Sequence, residues 1–361
     1  MLPQTPLTEL IGIRYPIIQA PMAGVGITAD FVAAVSNAGG LGSFAAAMLP
    51  PDAIRQGIAE VRARTTKPFN VNMFVLEPPK PDAAEVQAAH ELLRPIREEL
   101  GLPPAEALAQ YCEDSAPQFE AVLEARPAFA SFTFGVLKGE QVAALKARGA
   151  RVMGTATTVE EARAWEAAGA DAICAQGSEA GSHRGTFLGD FDGGMVGTMV
   201  LVPQVADAVR VPVIAAGGIM DGRGIAASLA LGAAGVQMGT AFLTCADSGA
   251  MEQYKQLLRG ARENQTRVSR IYTGKPARGL VNEFMRRLAP REREIPAYPI
   301  QNALTQPIRA AAKKAGRTDF MSLWAGQGAG MSRGLTAAEL VAALVQETEA
   351  VMKRTAGEFQ I

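Results

Sequence analysis

One pattern restricts the fold of this chain more than any other. Short apolar segments alternate along it with alanine-rich segments of helical periodicity. This alternation is typical of parallel α/β structure, because two parallel strands are usually connected by a helix. Eight such segments in succession predict a closed (β/α)₈ barrel of the TIM type, with strands at 16–20, 41–45, 69–74, 128–132, 151–154, 170–175, 211–215 and 235–238.

Glycines divide the predicted helices from the strands that follow them. Gly39, Gly169 and Gly232 each stand where a helix is expected to stop and turn into the next strand. The rhythm is interrupted by a proline-rich and then helical insertion at about 76–124. We therefore expect a barrel at 1–245, a helical and loop lid region near the active site at 246–334, and a final helix at 335–361 that packs back on the barrel.

Charge and cysteine content exclude several classes of partner. The 361 residues carry 35 basic and 36 acidic side chains without a long run of one sign, so neither nucleic acid nor a membrane surface is expected to bind. Cys112, Cys174 and Cys245 have no spacing typical of disulfides or zinc, and we expect no metal. With no signal peptide or apolar span in view, the sequence predicts a cytoplasmic protein.

The catalytic groups of a (β/α)₈ barrel lie where its strands end, because only there do eight loops converge on one cavity. Pro21 and Met22 follow the first strand, in a turn that suits close approach to a flat ligand or is simply a tight βα connection. The third strand carries Asn70 and Asn72, whose alternation sends both amides to one side. Asn72 is a candidate ligand contact, although capping of the strand end accounts for it equally well.

The loop from Gln176 to His183 after the sixth strand is the sharpest local feature. Histidine takes or donates a proton near neutral pH, and its place among glycines at the catalytic end favours a functional over a structural role. The chain's other histidine, His90, lies in the charged insertion and is expected on a solvated face. His183 is therefore the predicted catalytic residue.

The seventh and eighth strands both end in glycine-containing loops. Backbone amides in these two loops form the usual phosphate site of such barrels. No dinucleotide fingerprint, Walker loop or metal-binding histidine motif accompanies them, so a phosphate-bearing cofactor of another kind is implied. The predicted contributors are Gly217, Gly218, Gln237, Met238, Gly239 and Thr240.

Together, in this order and spacing, these motifs resemble the nitronate monooxygenases, formerly called 2-nitropropane dioxygenases, and most closely their bacterial class I. The resemblance implies an FMN-containing barrel that oxidises alkyl nitronates such as propionate 3-nitronate with O₂ to a carbonyl compound and nitrite. It implies that His183 acts as a base or as a substrate anchor. Many members have a second glycine where this chain has Ser182, which adds a hydroxyl to the cofactor contact.

The resemblance also assigns positions to individual residues. Pro21 and Met22 would lie against the flavin ring, while Gly217, Gly218, Gly239 and Thr240 would hold the phosphate. Other cofactor contacts are implied for Asn72, Gln176 and Gly181. Three tyrosines outside the predicted strands are candidates for the substrate pocket: Tyr111, Tyr254 and Tyr298.

Two alternative functions share parts of this pattern. An NAD(P)H-dependent FMN reductase, acting on quinones or enoyl-acyl-carrier-protein, would have the same glycine loops and histidine. A non-redox barrel that binds a phosphate ligand accounts for the Gly217 and Gly239 loops but not for Pro21, Met22 and Asn72. The sequence leaves open whether the protein is a monomer or a homodimer.

Overall fold

The computed structural model describes residues 2–358, and within them the predicted strands form one parallel barrel. Eleven strands are present in this part of the chain: Ile17–Gln19 (β1), Gly42–Ala45 (β2), Phe69–Phe74 (β3), Phe129–Thr133 (β4), Arg151–Ala156 (β5), Ala172–Gln176 (β6), Ser182–His183 (β7), Val213–Ala216 (β8), Gly235–Met238 (β9), Thr266–Ser269 (β10) and Ala277–Leu280 (β11).

Eight of these strands pair in parallel in the order β1-β9-β8-β6-β5-β4-β3-β2. A parallel bridge between Ile18 and Leu41 joins the first strand to the start of the second and closes the ring. The predicted eight-stranded TIM barrel is thus confirmed. The remaining strands form a separate antiparallel sheet in the order β10-β11-β7.

The helices of the described chain fall into a ring around the barrel and a group above its mouth. Their bounds are Pro6–Ile11 (α1), Ala29–Asn37 (α2), Pro51–Arg62 (α3), Ala83–Glu99 (α4), Ser115–Ala125 (α5), Gly139–Ala147 (α6), Val159–Ala167 (α7), Thr198–Ala208 (α8), Gly222–Ala230 (α9), Thr240–Leu243 (α10), Glu252–Arg259 (α11), Glu283–Leu288 (α12), Ile300–Lys314 (α13) and Ala337–Glu358 (α14). Short 3₁₀ turns lie at Ala289–Glu294, Thr318–Phe320 and Ala329–Met331.

Local chemistry explains where several of the ring helices begin and end. Thr28 and Thr158 cap α2 and α7 by accepting hydrogen bonds from backbone N–H groups of the first turn. After the same helices, Gly39 and Gly169 have φ values of 99° and 94°, which side chains rarely adopt. The predicted glycine stops are therefore what turn each helix into the next strand.

The barrel has an apolar core on each side of its wall. Ile18, Phe129, Met153 and Ile214 are buried in one cluster that also includes Leu7 of α1. Because Leu7 approaches Gly235 at the start of β9, α1 lies at the amino-terminal end of the strands. The other face of the strands packs against the ring helices. The carboxyl ends are thus left for the site.

A second apolar core builds the lid. It joins α4 of the insertion to the region after the barrel, with buried Leu93, Tyr254, Phe284 and Phe320 among its members. In contrast, α5 packs against α3 and β3 in the ring of barrel helices. Of the predicted insertion, only α4 and its flanking segments join the lid. The last helix, α14, packs against α9 and α2 on the outside of the barrel.

No helix in residues 2–358 is long and apolar enough to cross a membrane.

Gly154 tests how tightly the ring is packed. A methyl group at this position of β5 would collide with the ring of Trp165, which is fully buried and stacked on Phe132. We expect Gly154→Ala to lower the free energy of unfolding by about 1–3 kcal/mol through overpacking. Gly139→Ala is the matched control, because an added Cβ there meets nothing within 4 Å. Equal urea midpoints for the two variants would contradict the proposed packing.

Candidate active site

An open cavity lies at the carboxyl ends of the barrel strands, below the lid. The residues predicted to contact a cofactor come together in its wall, although they are spread over more than 200 positions of sequence. These are Pro21, Met22, Asn72, Gln176, Gly181, Ser182, Gly217, Gly218, Gln237, Met238, Gly239 and Thr240. His183 lines the same cavity.

The asparagines of β3 point to the same side of the strand, as their alternation predicts. Asn70 donates to the hydroxyl of Ser131 at 2.9 Å, and Asn72 donates to the same hydroxyl at 3.0 Å. Only Asn72 lines the cavity, since Asn70 lies one layer deeper in the barrel. Ser131, which the sequence analysis did not single out, therefore sets the orientation of the Asn72 amide.

Both polar atoms of the Gln176 side-chain amide form hydrogen bonds with the loop that follows it. Its Nε2 donates to the carbonyl oxygen of His183 at 3.0 Å, and its Oε1 accepts from the N–H of Gly185 at 2.8 Å. Arg184, which is buried, donates to the carbonyl oxygens of Gln176 at 2.9 Å and Gly194 at 2.8 Å. Gln176 thus positions the backbone of His183 in addition to lining the cavity.

Glu179 fastens the same loop to the neighbouring glycine loop. Its carboxylate accepts from the backbone N–H of Thr198 and, at 2.8 Å, from the Thr198 hydroxyl. That hydroxyl also lies 3.0 Å from the carbonyl oxygen of Gly217. Its partner Thr198 lies 19 residues further along the chain, so sequence reasoning missed this role.

The glycine loops after β8 and β9 have the backbone shapes that a close ligand requires. Gly217 and Gly218 have φ values of 117° and 70°, and Gly239 begins the turn into α10. In the same wall, Gln237 has a buried Oε1 without a hydrogen-bond partner among the described residues. An acceptor held in this way fits a ligand that carries N–H groups.

Ser182 occupies a strained backbone position. Its φ is 64°, in the left-handed region that favours glycine. Next to it, a side chain at Gly181 would come within 2.5 Å of the backbone nitrogen of Gly326. A serine in this conformation thus costs backbone strain, and β7 is held in place by its pairing with β11, in which Ser182 faces Arg278.

Four aromatic rings surround His183. Ring-centroid distances from the imidazole are 5.4 Å to Phe134, 5.4 Å to Trp324, 5.8 Å to Tyr298 and 6.5 Å to Phe74. Phe74 ends β3 and Phe134 directly follows β4, whereas the other two rings come from the lid region. Phe134 has a φ of 81°, a rare value for a bulky residue, so its position next to His183 is also strained.

The surroundings of His183 keep its ring neutral. Burial, together with the nearby cations Lys275 and Arg309, lowers the pKa of His183 to about 3. Nε2 lies 2.9 Å from the hydroxyl of Thr273, which itself donates to the carbonyl oxygen of Lys275. Because that hydroxyl has one proton, it accepts from Nε2–H, and the lone pair of the imidazole is on Nδ1.

The three candidate tyrosines do not share one environment. Tyr298 contacts His183 and Phe134, and burial raises its pKa above the ordinary value. Tyr254 is buried in the lid core, where its hydroxyl donates to the carbonyl oxygen of Trp324. Tyr111 packs at the edge of the same core. None of the three is among the residues that line the cavity, although Tyr298 contacts His183, which does.

Comparison with known proteins matches this fold and site to one family. The family model of nitronate monooxygenase covers residues 4–347. A nitronate monooxygenase of Pseudomonas aeruginosa is 47% identical over 345 residues, covering 94% of this chain and 98% of that protein. The chain belongs to the nitronate monooxygenase family. It is therefore an oxidoreductase that acts on nitronates, as the sequence predicts.

Solved structures of related proteins agree with this assignment. The crystal structure of a nitroalkane oxidase from Streptomyces ansochromogenes has a TM-score of 0.90 and 41% identity, covering 97% of this chain and all of that one. A structure of FabK from Thermotoga maritima has a TM-score of 0.78 and 30% identity, covering 99% and 100% of the two chains. The fold of this chain is thus similar to those of both proteins over nearly its whole length.

The low pKa of His183 makes a prediction about stability. An unfolded histidine takes up a proton below its ordinary pKa of 6.5, whereas folded His183 does not do so until about pH 3. Folding therefore loses stability as pH falls from 6.5 towards 3. We expect the free energy of unfolding of His183→Asn to decline less steeply with falling pH than that of the wild type. The difference in slope should correspond to the uptake of one proton on unfolding.

His90→Asn is the matched control for this measurement. His90 is one of the two histidines of the chain, and burial lowers its pKa as well, but its side chain is less enclosed. Urea unfolding at several pH values should show a smaller change for this variant. The same pH slope in wild type and His183→Asn would mean that His183 is not held neutral.

Proposed function

We propose that the cavity binds FMN and that the protein oxidises alkyl nitronates, with O₂, to a carbonyl compound and nitrite. The observation that supports this best is the convergence of the glycine loops, Pro21, Met22 and Asn72 on one cavity with a neutral His183. A non-redox phosphate barrel would require only the glycine loops. A nitronate of the size of propionate 3-nitronate is the proposed substrate.

The residues in the wall fit the proposed cofactor. Gly217, Gly218 and Gly239 expose backbone without side chains that would fill the space, and Thr240 follows them. The partnerless Oε1 of Gln237 can accept from the ring system, and Pro21 and Met22 provide an apolar surface for it. The chemistry that FMN supplies when bound is oxidation of the nitronate and reaction with dioxygen.

The protein's own groups determine how the substrate is held. The rings around His183 give that end of the cavity an apolar wall, which strengthens the electrostatic attraction for an anion. His183 presents an unprotonated Nδ1, so it can accept a proton from a neutral nitroalkane but does not carry a positive charge of its own at neutral pH. A base with so low a pKa favours substrates that are already deprotonated.

Preference for nitronates over nitroalkanes is therefore the first kinetic prediction. We expect His183→Asn to lower kcat/KM for a neutral nitroalkane by about 10²–10⁴, the usual contribution of a positioned base. The loss with the matching nitronate should be smaller, because no proton has to be removed. Oxygen consumption with ethyl nitronate and nitroethane, at equal flavin content, measures both. Parent rates on both substrates would exclude a role for His183.

Thr273→Val is a companion variant. It removes the hydroxyl that accepts from Nε2–H while keeping a side chain of similar shape. Without this acceptor the tautomer with its lone pair on Nδ1 is no longer favoured, so kcat/KM for the nitroalkane should fall. Unchanged nitroalkane kinetics would show that the hydrogen bond to Thr273 is only structural.

The cofactor and the reductase alternative are tested together. We expect the purified protein to be yellow, and the flavin released by heating to be FMN at about one per chain, since one cavity is available for it. Anaerobic mixing with NADH or NADPH should leave the flavin band unchanged, whereas addition of a nitronate in air should start oxygen uptake. Rapid bleaching by a nicotinamide cofactor would favour the FMN reductase instead.

A further inference from the structure

The wall of the cavity contains cationic but no acidic side chains. Among the residues that line it, Arg309 is the only one with a full charge at neutral pH, and neither aspartate nor glutamate is present. Lys275 stands just behind the wall, where its ammonium group lies 4.7 Å from the centre of the Phe134 ring. The cavity is therefore electropositive and suited to an anionic ligand.

Arg309 is held in the wall by one nitrogen of its guanidinium group. It lies on α13 of the lid, where Nη2 donates to the carbonyl oxygen of Asn302 at 2.7 Å and to its side-chain Oδ1 at 2.8 Å. Nε is buried and has no hydrogen-bond partner among the residues that the structure describes. The groups that act on its charge are Tyr272 and Tyr298, and no carboxylate is among them.

A buried cation of this kind is costly unless an anion joins it. Buried charges in proteins are normally paired, because desolvation of a lone charge is expensive. Burial lowers the pKa of Arg309 only to about 10, so the side chain remains charged at neutral pH. The described chain supplies no counter-ion for Arg309, so an anionic ligand in the cavity would have to supply it.

The position of Arg309 indicates which part of an anionic ligand it can reach. The glycine loops proposed to hold phosphate belong to β8 and β9 of the barrel, whereas Arg309 belongs to the lid and acts on the pKa of His183. It thus lies at the His183 end of the cavity. A group on the lid is suited to hold a remote part of the substrate, while the reacting atoms lie against the barrel.

We propose that Arg309 binds the carboxylate of the substrate and so selects nitronates that carry a carboxylate over those with an uncharged chain. This rests on the proposed function, which supplies the nitronate. Asn302 occupies Nη2, which leaves the N–H groups of Nε and Nη1 to form charge-assisted hydrogen bonds with the oxygens of a carboxylate. Arg309 is then a specificity-determining residue, and the neutral His183 next to it leaves its charge free for the substrate.

The kinetic test compares two nitronates of the same chain length. Propionate 3-nitronate carries the carboxylate, and propyl 1-nitronate has a methyl group in its place. Arg309→Gln should raise KM for propionate 3-nitronate by about 10–100-fold, the range for loss of hydrogen bonds to a charged group. The KM for propyl 1-nitronate should change by less than about threefold, the size of an ordinary packing effect.

Two further variants complete the comparison. Lys313→Gln removes one positive charge from the same helix at an exposed position and should change neither KM. Arg309→Lys keeps the charge but loses the separate Nε and Nη1 donors, so its KM for propionate 3-nitronate should lie between those of wild type and Arg309→Gln. Because Arg309→Lys is the milder change, it also serves if Arg309→Gln fails to fold, as judged by thermal unfolding and flavin content.

Binding without turnover provides a second readout. Calorimetric titration of the holoenzyme with propionate should show saturable binding that Arg309→Gln abolishes and Lys313→Gln does not. An equal loss with both nitronates would overturn the proposal, because Arg309 would then contact the nitronate group or the cofactor. So would unchanged kinetics together with unchanged propionate binding. If wild type oxidised neither nitronate, the proposed function would fail, and the propionate titration would still decide whether Arg309 binds a carboxylate.

Discussion

The loop between β6 and β7 is the part of this structure on which the site depends. It begins on a barrel strand and ends as a strand of the antiparallel sheet, so one short segment belongs to both the barrel and the lid. Gln176 and Arg184 tie the two ends of the loop together, and Glu179 ties its middle to the glycine loop after β8. His183 is positioned because the backbone on both sides of it is fully bonded.

This arrangement also explains why strain is tolerated at the site. Ser182 and Phe134 both have positive φ values and both lie next to His183. Such conformations cost on the order of 1–3 kcal/mol each and persist only where surrounding structure holds them. Here the pairing of β7 with β11 and the packing of Phe134 against Tyr298 and Phe74 provide that support. The strain is confined to the wall of the cavity.

The parts of the structure that sequence could predict are those determined locally. Strands, helix caps and the glycine stops at Gly39 and Gly169 follow from neighbouring residues, and barrel geometry then brings the strand ends together. His183 stood out because the chain has only two histidines. The family assignment followed from the same motifs in the same order.

The parts that could not be predicted arise from contacts across long stretches of chain. Thr273 and Trp324 reach His183 only because the lid folds over the barrel, and nothing near them in sequence indicates this. The same holds for α5, whose place in the barrel ring depends on its packing against α3. Arg309 resembled any other helical arginine until the structure showed that its Nε lacks a partner.

The charges of residues that the sequence did not single out affect the protonation of His183. Lys275 and Arg309 both oppose protonation of His183, so the imidazole stays neutral while the cavity as a whole stays positive. If His183 were charged instead, it would compete with Arg309 for the same anion and would have no lone pair to offer. Separation of the two roles, a fixed cation on the lid and a neutral base beside it, lets one small cavity hold an anion and still accept a proton.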